Sequence, residues 1–347
     1  MREVLLTALC RPKQWKTIST RDLKSKGYPV YGANGKIGFY DIYTHENPTL
    51  LITCRGATCG TINISEPKSY VNGNAMALDN LSQDVDLYFL KHYLEYRKLD
   101  DVISGSAQPQ ITGQGLANIK IPLPPLETQQ KIASILDAAD TLRQKTKALI
   151  AKYDELTQSL FLDMFGDPVK NEKGWEVKKL GHITNMKAGK FIAASEIYSE
   201  NSSKLQPCFG GNGLRGYVKS HTHEGEFVLI GRQGALCGNV KITNGKFHAT
   251  EHAIVCSPEV QYSTLWLYYL LKLMNLNRFS TGAAQPGLNV GTLVDLEVFF
   301  VPLNLQNQFA ERVEAIEIQK AQAQASLAKA EELFNSLLQK AFNGELV

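Results

Sequence analysis

Phe209-Gly-Gly-Asn-Gly213 is the first stretch whose residue types and spacing could do chemistry. It fits the Phe-x-Gly-x-Gly pattern of S-adenosylmethionine sites, where glycine turns let the backbone approach a ligand. Three features count against that reading. Tyr31-Gly-Ala-Asn-Gly35 has the same shape, so the segment belongs to a duplicated turn. No Asn/Asp-Pro-Pro-Tyr/Phe motif exists, since Asn47-Pro48 runs into Thr49. The flanks also lack the long βα alternation of a methyltransferase. Asn34-Gly35 and Asn212-Gly213 read instead as tight hairpin turns. Cys54, Cys59, Cys208, Cys237 and Cys256, with His221, His223, His248 and His252, raise the question of zinc. No Cys-x-x-Cys pair occurs and the spacing is irregular, so small buried thiols are the better reading. There is no nucleophile elbow, and Gly32–Lys36 is too short for a phosphate-binding loop and lacks its Ser/Thr. No catalytic residues, metal or cofactor are expected on this chain.

The elements that carry these turns come as a tandem repeat. PVYGANGKIGF at 29–39 recurs as PCFGGNGLRGY at 207–217, and LITCRGATCG at 51–60 as LIGRQGALCG at 229–238. GSAQP at 105–109 recurs as GAAQP at 282–286, and DELTQSLFLDMF at 154–165 as EELFNSLLQKAF at 331–342. The order is kept and the offset stays at 177–178 residues. Shared residues are mainly Gly, Pro, Asn and apolar types, which set backbone shape, whereas residues between the blocks differ. Each half begins with a part rich in Gly, aromatic and β-branched residues, with strands such as Leu50–Cys54 and Phe227–Ile230. Each then passes one apolar helix, about Leu87–Leu99 or Leu265–Asn275, whose Tyr88, Phe89, Tyr93, Trp266, Tyr269 and Leu270 are expected in the core.

After IPLPPL (121–126) and VPL (301–303) a long helical pattern starts at once. In the first helix Ile132, Ile135, Ala139, Leu142, Thr146, Leu149, Tyr153, Leu156 and Leu160 alternate by three and four. In the second, Phe309, Val313, Ile316, Ala323, Leu327, Ala330, Phe334, Leu337 and Ala341 do the same, with Lys320 as a polar interruption. Such spacing over four or more heptads predicts a coiled-coil seam. At ~1.5 Å per residue, about 39 residues make a rod of roughly 58 Å. The expected organisation is therefore α+β, with two tandem mixed α/β domains at 1–125 and 167–303. Two long antiparallel helices, 126–166 and 304–347, pair as a coiled coil in a pseudo-twofold internal repeat.

The composition of the 347 residues is that of a globular protein, with 44% hydrophobic and 20% charged residues. The longest nearly apolar run, Leu265–Met274, is far short of a membrane span. The start has no clear secretion signal, and six cysteines without paired spacing read as reduced thiols, so a cytoplasmic location is expected. The net charge of +3 divides unevenly: each globular part carries +3, the two helices −1 and −2. That partition fits globular parts that meet a polyanion and rods that meet protein.

The tandem motifs resemble the specificity subunit of type I restriction–modification systems, and the resemblance covers essentially the whole chain. Its most family-like feature opens each long helix. Pro125, Leu126, Gln129, Ile132 and Ala133 match Pro302, Leu303, Gln306, Phe309 and Ala310. One departure is visible: NEKGWEVKKLG (171–181), with Trp175, leads into the second domain, and the first lacks an obvious counterpart. Either the first domain is trimmed or the C-terminal end completes it in a circular arrangement. The resemblance implies a non-catalytic DNA-reading subunit, each domain reading one half of a split site. It implies docking of two adenine methyltransferase (modification) subunits, and of restriction (nuclease–translocase) subunits, on helices 127–165 and 304–343. S-adenosylmethionine, ATP and magnesium would then bind the partners. Arg and Lys suit guanine edges, Asn and Gln adenine, and most basic contacts go to phosphate. The candidate DNA contacts are Asn34, Lys36, Arg55, Lys68, Asn72, Asn74 and Gln108 in the first half. In the second half they are Asn212, Arg215, Lys219, Arg232, Gln233, Lys241, Lys246, His248 and Gln285. Gln108 and Gln285 are shared and so suit a common loop shape better than distinct specificity. Two alternatives stay open: a self-sufficient methyltransferase using Gly210–Gly213, and a coiled-coil scaffold without DNA specificity.

Overall fold

The computed structural model describes residues 2–33, 35–105, 107–234, 236–282 and 286–346. They form two compact units, Met1–Lys147 with Ala325–Val347, and Ala148–Gln324. The C-terminal segment thus completes the first unit. Leu337, Leu338, Phe342 and Leu346 pack onto the core formed by Leu6, Leu50, Ile52, Phe89, Leu90 and Ile132.

Each unit is built on one four-stranded antiparallel sheet. In the first its order is Arg11–Gln14, Ala75–Asp79, Leu50–Thr53, Ile62–Ile64. In the second it is Thr184–Ala188, Ala253–Pro258, Phe227–Gly231, Val240–Thr243. The central strands Leu50–Thr53 and Phe227–Gly231 are apolar along their length because both faces are covered. Beside each lies a hairpin, Tyr28–Gly32 with Gly35–Tyr40, and Gln206–Gly210 with Gly213–Val218. Both hairpins have two-residue loops, and both strands that follow begin with glycine at positive φ, 78° at Gly35 and 101° at Gly213. The helices Leu87–Arg97 and Thr264–Leu273 start at side-chain caps, Asp86 and Ser263. They bury Phe89, Trp266, Leu270 and, almost fully, Tyr269, whereas Tyr88 is 45% exposed and Tyr93 only half-buried, its hydroxyl donating to the Lys120 carbonyl.

The missing counterpart of the second domain's lead-in is present in the first. Glu3–Leu5 pairs with Lys120–Pro122 as Val177–Lys179 pairs with Glu297–Phe299, so residue 3 matches 177. The offset here is 174, not 178. Lys24 bridges Phe39 as Tyr198 bridges Tyr217, and Val30 faces Gly38 as Cys208 faces Gly216. Four additional residues therefore lie in 199–207, which holds nine positions against five in 25–29.

The central helix runs Leu126–Phe165 and the C-terminal helix Leu303–Asn343. Gly166 and Gly344, with φ of 83° and 81°, end them in the left-handed conformation that favours glycine. The motif glutamines explain the helix entries. Gln129 is fully buried; its Oε1 accepts from the Asp86 amide (2.9 Å), and its Nε2 donates to the carbonyls of Asp84 and Pro124. Gln306 repeats this with the Ser263 amide and the Val301 carbonyl. One side chain thus ties the helix start to the loop that launches the apolar helix.

Within each unit the helices run antiparallel. In the first, Arg143 lies 4.4 Å over the Phe334 ring and Lys147 pairs with Glu331. In the second, Phe161 and Phe165 meet Phe309, and Lys320 Nζ reaches Asp154 Oδ1 at 2.6 Å. On the C-terminal helix Val313 and Phe334 are buried and Ile316, Leu327 and Leu337 half-buried, with Lys320 in the same stripe. On the central helix the seam differs from the expected one. Ile135, Leu142, Leu149 and Leu156 are 38%, 53%, 44% and 49% exposed, while Leu160 is half-buried. The inward positions lie one residue further on, at Leu136, Arg143, Ile150 and Thr157. In the first unit Ile132, Ala133 and Leu136 pack into the core with Phe89 and Leu90, and Asp137 bonds the fully buried His92 at 2.7 Å, so this face of the helix is turned toward its own unit's apolar helix.

Candidate nucleic-acid interface

Four turns meet at one end of the first unit's main sheet. The Ala33 carbonyl at the hairpin tip accepts from the Thr53 hydroxyl at 2.5 Å, at the end of the central strand. The turn that follows is closed by the amides of Cys59 and Gly60, bonded to the carbonyls of Gly56 and Thr53. The Gln-Pro loop lies against it, with the Gly56 amide on the Pro109 carbonyl (3.1 Å) and the Ile111 amide on the Cys54 carbonyl (3.0 Å). The 72–74 turn joins through the Asn72 amide on the Tyr31 carbonyl and the Cys54 amide on the Asn74 carbonyl.

The second unit repeats the backbone bonds of this pattern, while Gly231 stands where the first unit has Thr53 and so lacks its hydroxyl bond. The Gly234 amide meets the Pro286 carbonyl (2.9 Å), the Leu288 amide the Arg232 carbonyl (2.8 Å), and the Arg232 amide the His252 carbonyl (2.9 Å). The Thr250 amide meets the Phe209 carbonyl. Equivalent positions are thereby defined by backbone bonds. Arg55 corresponds to Gln233, Cys54 to Arg232 and Asn74 to His252. The frame is common, while the side chains on it differ.

The candidate side chains divide accordingly. Arg55, Asn74, Gln108, Asn212 and Gln233 are exposed on this face, with Arg232 and Lys241 half-buried. Arg55 and Gln233 are held in backbone bridges to Gln110 and Gly287, yet their side chains have no partner among the described residues. Asn212 accepts from Asn239 at 2.9 Å. Arg215 and Lys219 are exposed along the second hairpin, Lys219 lying 5.9 Å over Tyr198. Three lysines are already paired: Lys36 with Glu66 (3.1 Å), Lys68 with Glu46 (3.6 Å) and Lys246 with Glu224 (4.0 Å). Asn72 and His248 are corrections, being only 4% and 5% exposed. Asn72 Nδ2 donates to the Ile18 carbonyl, and His248 Nε2 to the Lys190 carbonyl, so both hold loops from inside. Asn34 and Gln285 lie outside the described residues.

The shared face also carries residues that the repeat had hidden. Lys13 pairs with Ala77 as Lys187 pairs with Val255, so these lysines are equivalent at the offset of 174. His252 stands where the first unit has Asn74. The cysteines are packing residues. Cys10, Cys54, Cys208, Cys237 and Cys256 are buried, and burial pushes the Cys10 and Cys256 thiols up to about 12. Thr222 and His223 form a local bond at 2.8 Å and His223 stacks on Phe247. Among the described residues no three His, Cys, Asp or Glu side chains converge as metal ligands. No helix among them is long and apolar enough to cross a membrane. Phe209–Gly213 is the tip of a hairpin that Tyr31–Gly35 repeats in the first unit.

Comparison with known proteins agrees with this geometry. The family model for the type I restriction modification DNA specificity domain matches residues 3–152 and 172–331. The chain is 38% identical over 235 residues to the type I restriction enzyme EcoprrI specificity subunit of Escherichia coli, covering 64% of this chain and 58% of that protein. It thus spans less than two thirds of that relative's length. It is 25% identical over 336 residues to the MjaIX specificity subunit of Methanocaldococcus jannaschii, covering 86% of this chain and 77% of that one. The fold matches the crystal structure of a type I S subunit from M. genitalium with a TM-score of 0.71 at 19% identity, over 98% of this chain and 95% of that one. With two matched domains on two copies of one turn frame, the chain belongs to the type I restriction–modification DNA specificity family.

Proposed function

We propose that each unit reads one half of a bipartite DNA site through its turn face, and that the chain itself catalyses nothing. The observation that carries this is the pair of equivalent positions Arg55 and Gln233. Both are backbone-fixed, exposed and without a side-chain partner among the described residues, and they differ in type. An arginine fork matches the O6/N7 edge of guanine, and a glutamine amide matches the N6/N7 edge of adenine. Two short readings on stiff helices combine into one strong reading by effective concentration.

The helices serve as the dock for modification subunits. Ile135, Leu142, Leu149 and Leu156 recur every seven residues on the central helix and are exposed without being needed in its seam. Apolar positions in such a row mark a protein contact surface. Two adenine methyltransferase subunits, and restriction subunits beside them, are the proposed partners. S-adenosylmethionine, ATP and magnesium are assigned to those partners, and the place of action to the cytoplasm where the DNA lies.

The test is a methylome. A host carrying this chain with its modification subunit should show methylated adenines in one split motif with a constant unread spacer. Methylation by the purified chain alone would favour a self-sufficient enzyme. Salt-sensitive binding without any sequence preference would favour a plain scaffold.

A further inference from the structure

The strand that opens each sheet carries the first lysine of a Lys-x-x-Lys pair whose second lies two residues past the strand, Lys13 and Lys16 in the first unit, Lys187 and Lys190 in the second. The two pairs are structurally equivalent. Besides the register at Lys13 and Lys187, the carbonyls of Lys16 and Lys190 are each held by an inner side chain. Tyr70 donates its hydroxyl to Lys16 at 2.9 Å, and His248 donates Nε2 to Lys190 at 3.1 Å. Tyr70 and His248 are themselves equivalent, facing Val30 and Cys208 in matching parallel bridges. The end of this strand abuts the turn face: Gln14 Nε2 lies 2.9 Å from Cys54 Sγ, next to Arg55.

All four lysines are exposed, and none forms an ion pair among the described residues. Lys13 instead stands 3.6 Å over the Trp15 ring. Lys36, Lys68 and Lys246 have carboxylates at hand, so an approaching phosphate would have to compete for them. None of these four ammonium groups has to give up a carboxylate. Their identity in both units also matters. Residues that differ between the readers suit bases, and residues common to both suit the one feature common to both half-sites, the phosphate backbone.

We infer that Lys13, Lys16, Lys187 and Lys190 are the phosphate contacts that set each turn face in register on DNA. This rests on the DNA-reading function proposed above. The inner donors Tyr70 and His248 are positioning residues that hold the strand ends.

The experiment measures binding of the full chain to a mixed-sequence 40-base-pair duplex as salt is varied. Each duplex phosphate neutralised contributes about 0.9 to the slope of log affinity against log salt. The K13Q/K16Q/K187Q/K190Q variant should flatten the slope by roughly 3 to 4 on that basis. The K120Q/K170Q/K178Q variant, which removes a similar charge from lysines paired with Glu3, Glu172 and Glu176, should leave it unchanged. The half-site variant K187Q/K190Q, with folding checked by circular dichroism, should give about half the effect of four substitutions. A folded quadruple variant with the wild-type slope would overturn the inference while leaving the DNA-reading function intact, as would an equal flattening in the control. A wild-type chain that binds DNA without salt dependence would overturn both.

Discussion

Arg55 and Gln233 make the residue-scale claim sharpest, because one backbone position carries two different readers. Exchanging them should exchange base preference. Arg55→Gln should shift one position of one half-site from guanine toward adenine, and Arg55→Ala should lose about 1–3 kcal/mol of discrimination there. A methylome of the variant checks this, and an unchanged motif would remove Arg55 from base reading. The thiols offer an independent check on the fold. Cys59 is half-buried and the other five cysteines buried, so iodoacetamide at pH 8 should label Cys59 first in the native chain. Burial holds the Cys256 thiol near 12, and it should react only after unfolding. Peptide mass spectrometry over time distinguishes the two.

At the scale of elements, the long helices are secured differently at their ends and in their seam. Gln129 satisfies an amide and two carbonyls from inside the first unit. Gln129→Ala leaves these groups short of partners and should cost roughly 1–3 kcal/mol, read as a lower melting temperature. In the seam, the Asp154 carboxylate raises the pKa of the Lys320 ammonium. A raised folded-state value means the pair's contribution is present below lysine's ordinary pKa and lost as pH rises through the folded value. The stability difference between wild type and Lys320→Met should therefore persist at pH 7 and shrink above pH ~10.4, where free lysine titrates. The outward row at Ile135, Leu142, Leu149 and Leu156 behaves oppositely. Its replacement by serine should leave melting nearly unchanged and abolish co-purification with the modification subunit; retained co-purification would place the dock elsewhere.

For the whole molecule the proposed bipartite reading makes the helices a ruler. One charge-neutral heptad added to both helices at matching layers adds about 10 Å, given ~1.5 Å per residue. The unread spacer should lengthen by about three base pairs while both half-sites stay as they were. Equal spacing before and after would sink the ruler. Replacing residues 1–125 by the corresponding part of another family member should change one half-site only.

Much of this was legible in the chain itself. Glycines, prolines and a paired glutamine motif specify backbone shape locally, so the repeat, both hairpin turns and both long helices follow from the residues alone. The C-terminal helix seam is legible too, because Phe309, Val313 and Phe334 lie on the three-four spacing that the helix buries. Tertiary structure decided the rest, wherever an outcome depends on a partner distant in sequence. The central helix offered two adjacent apolar choices at Ile135 and Leu136, and it is Leu136 that joins the core with Phe89 and Leu90. His248 and Asn72 look like surface readers until the loops they hold are seen around them. The lysine pairs stayed hidden because four additional residues in one hairpin approach shifted their offset, and only hydrogen-bond register aligns positions across such an insertion.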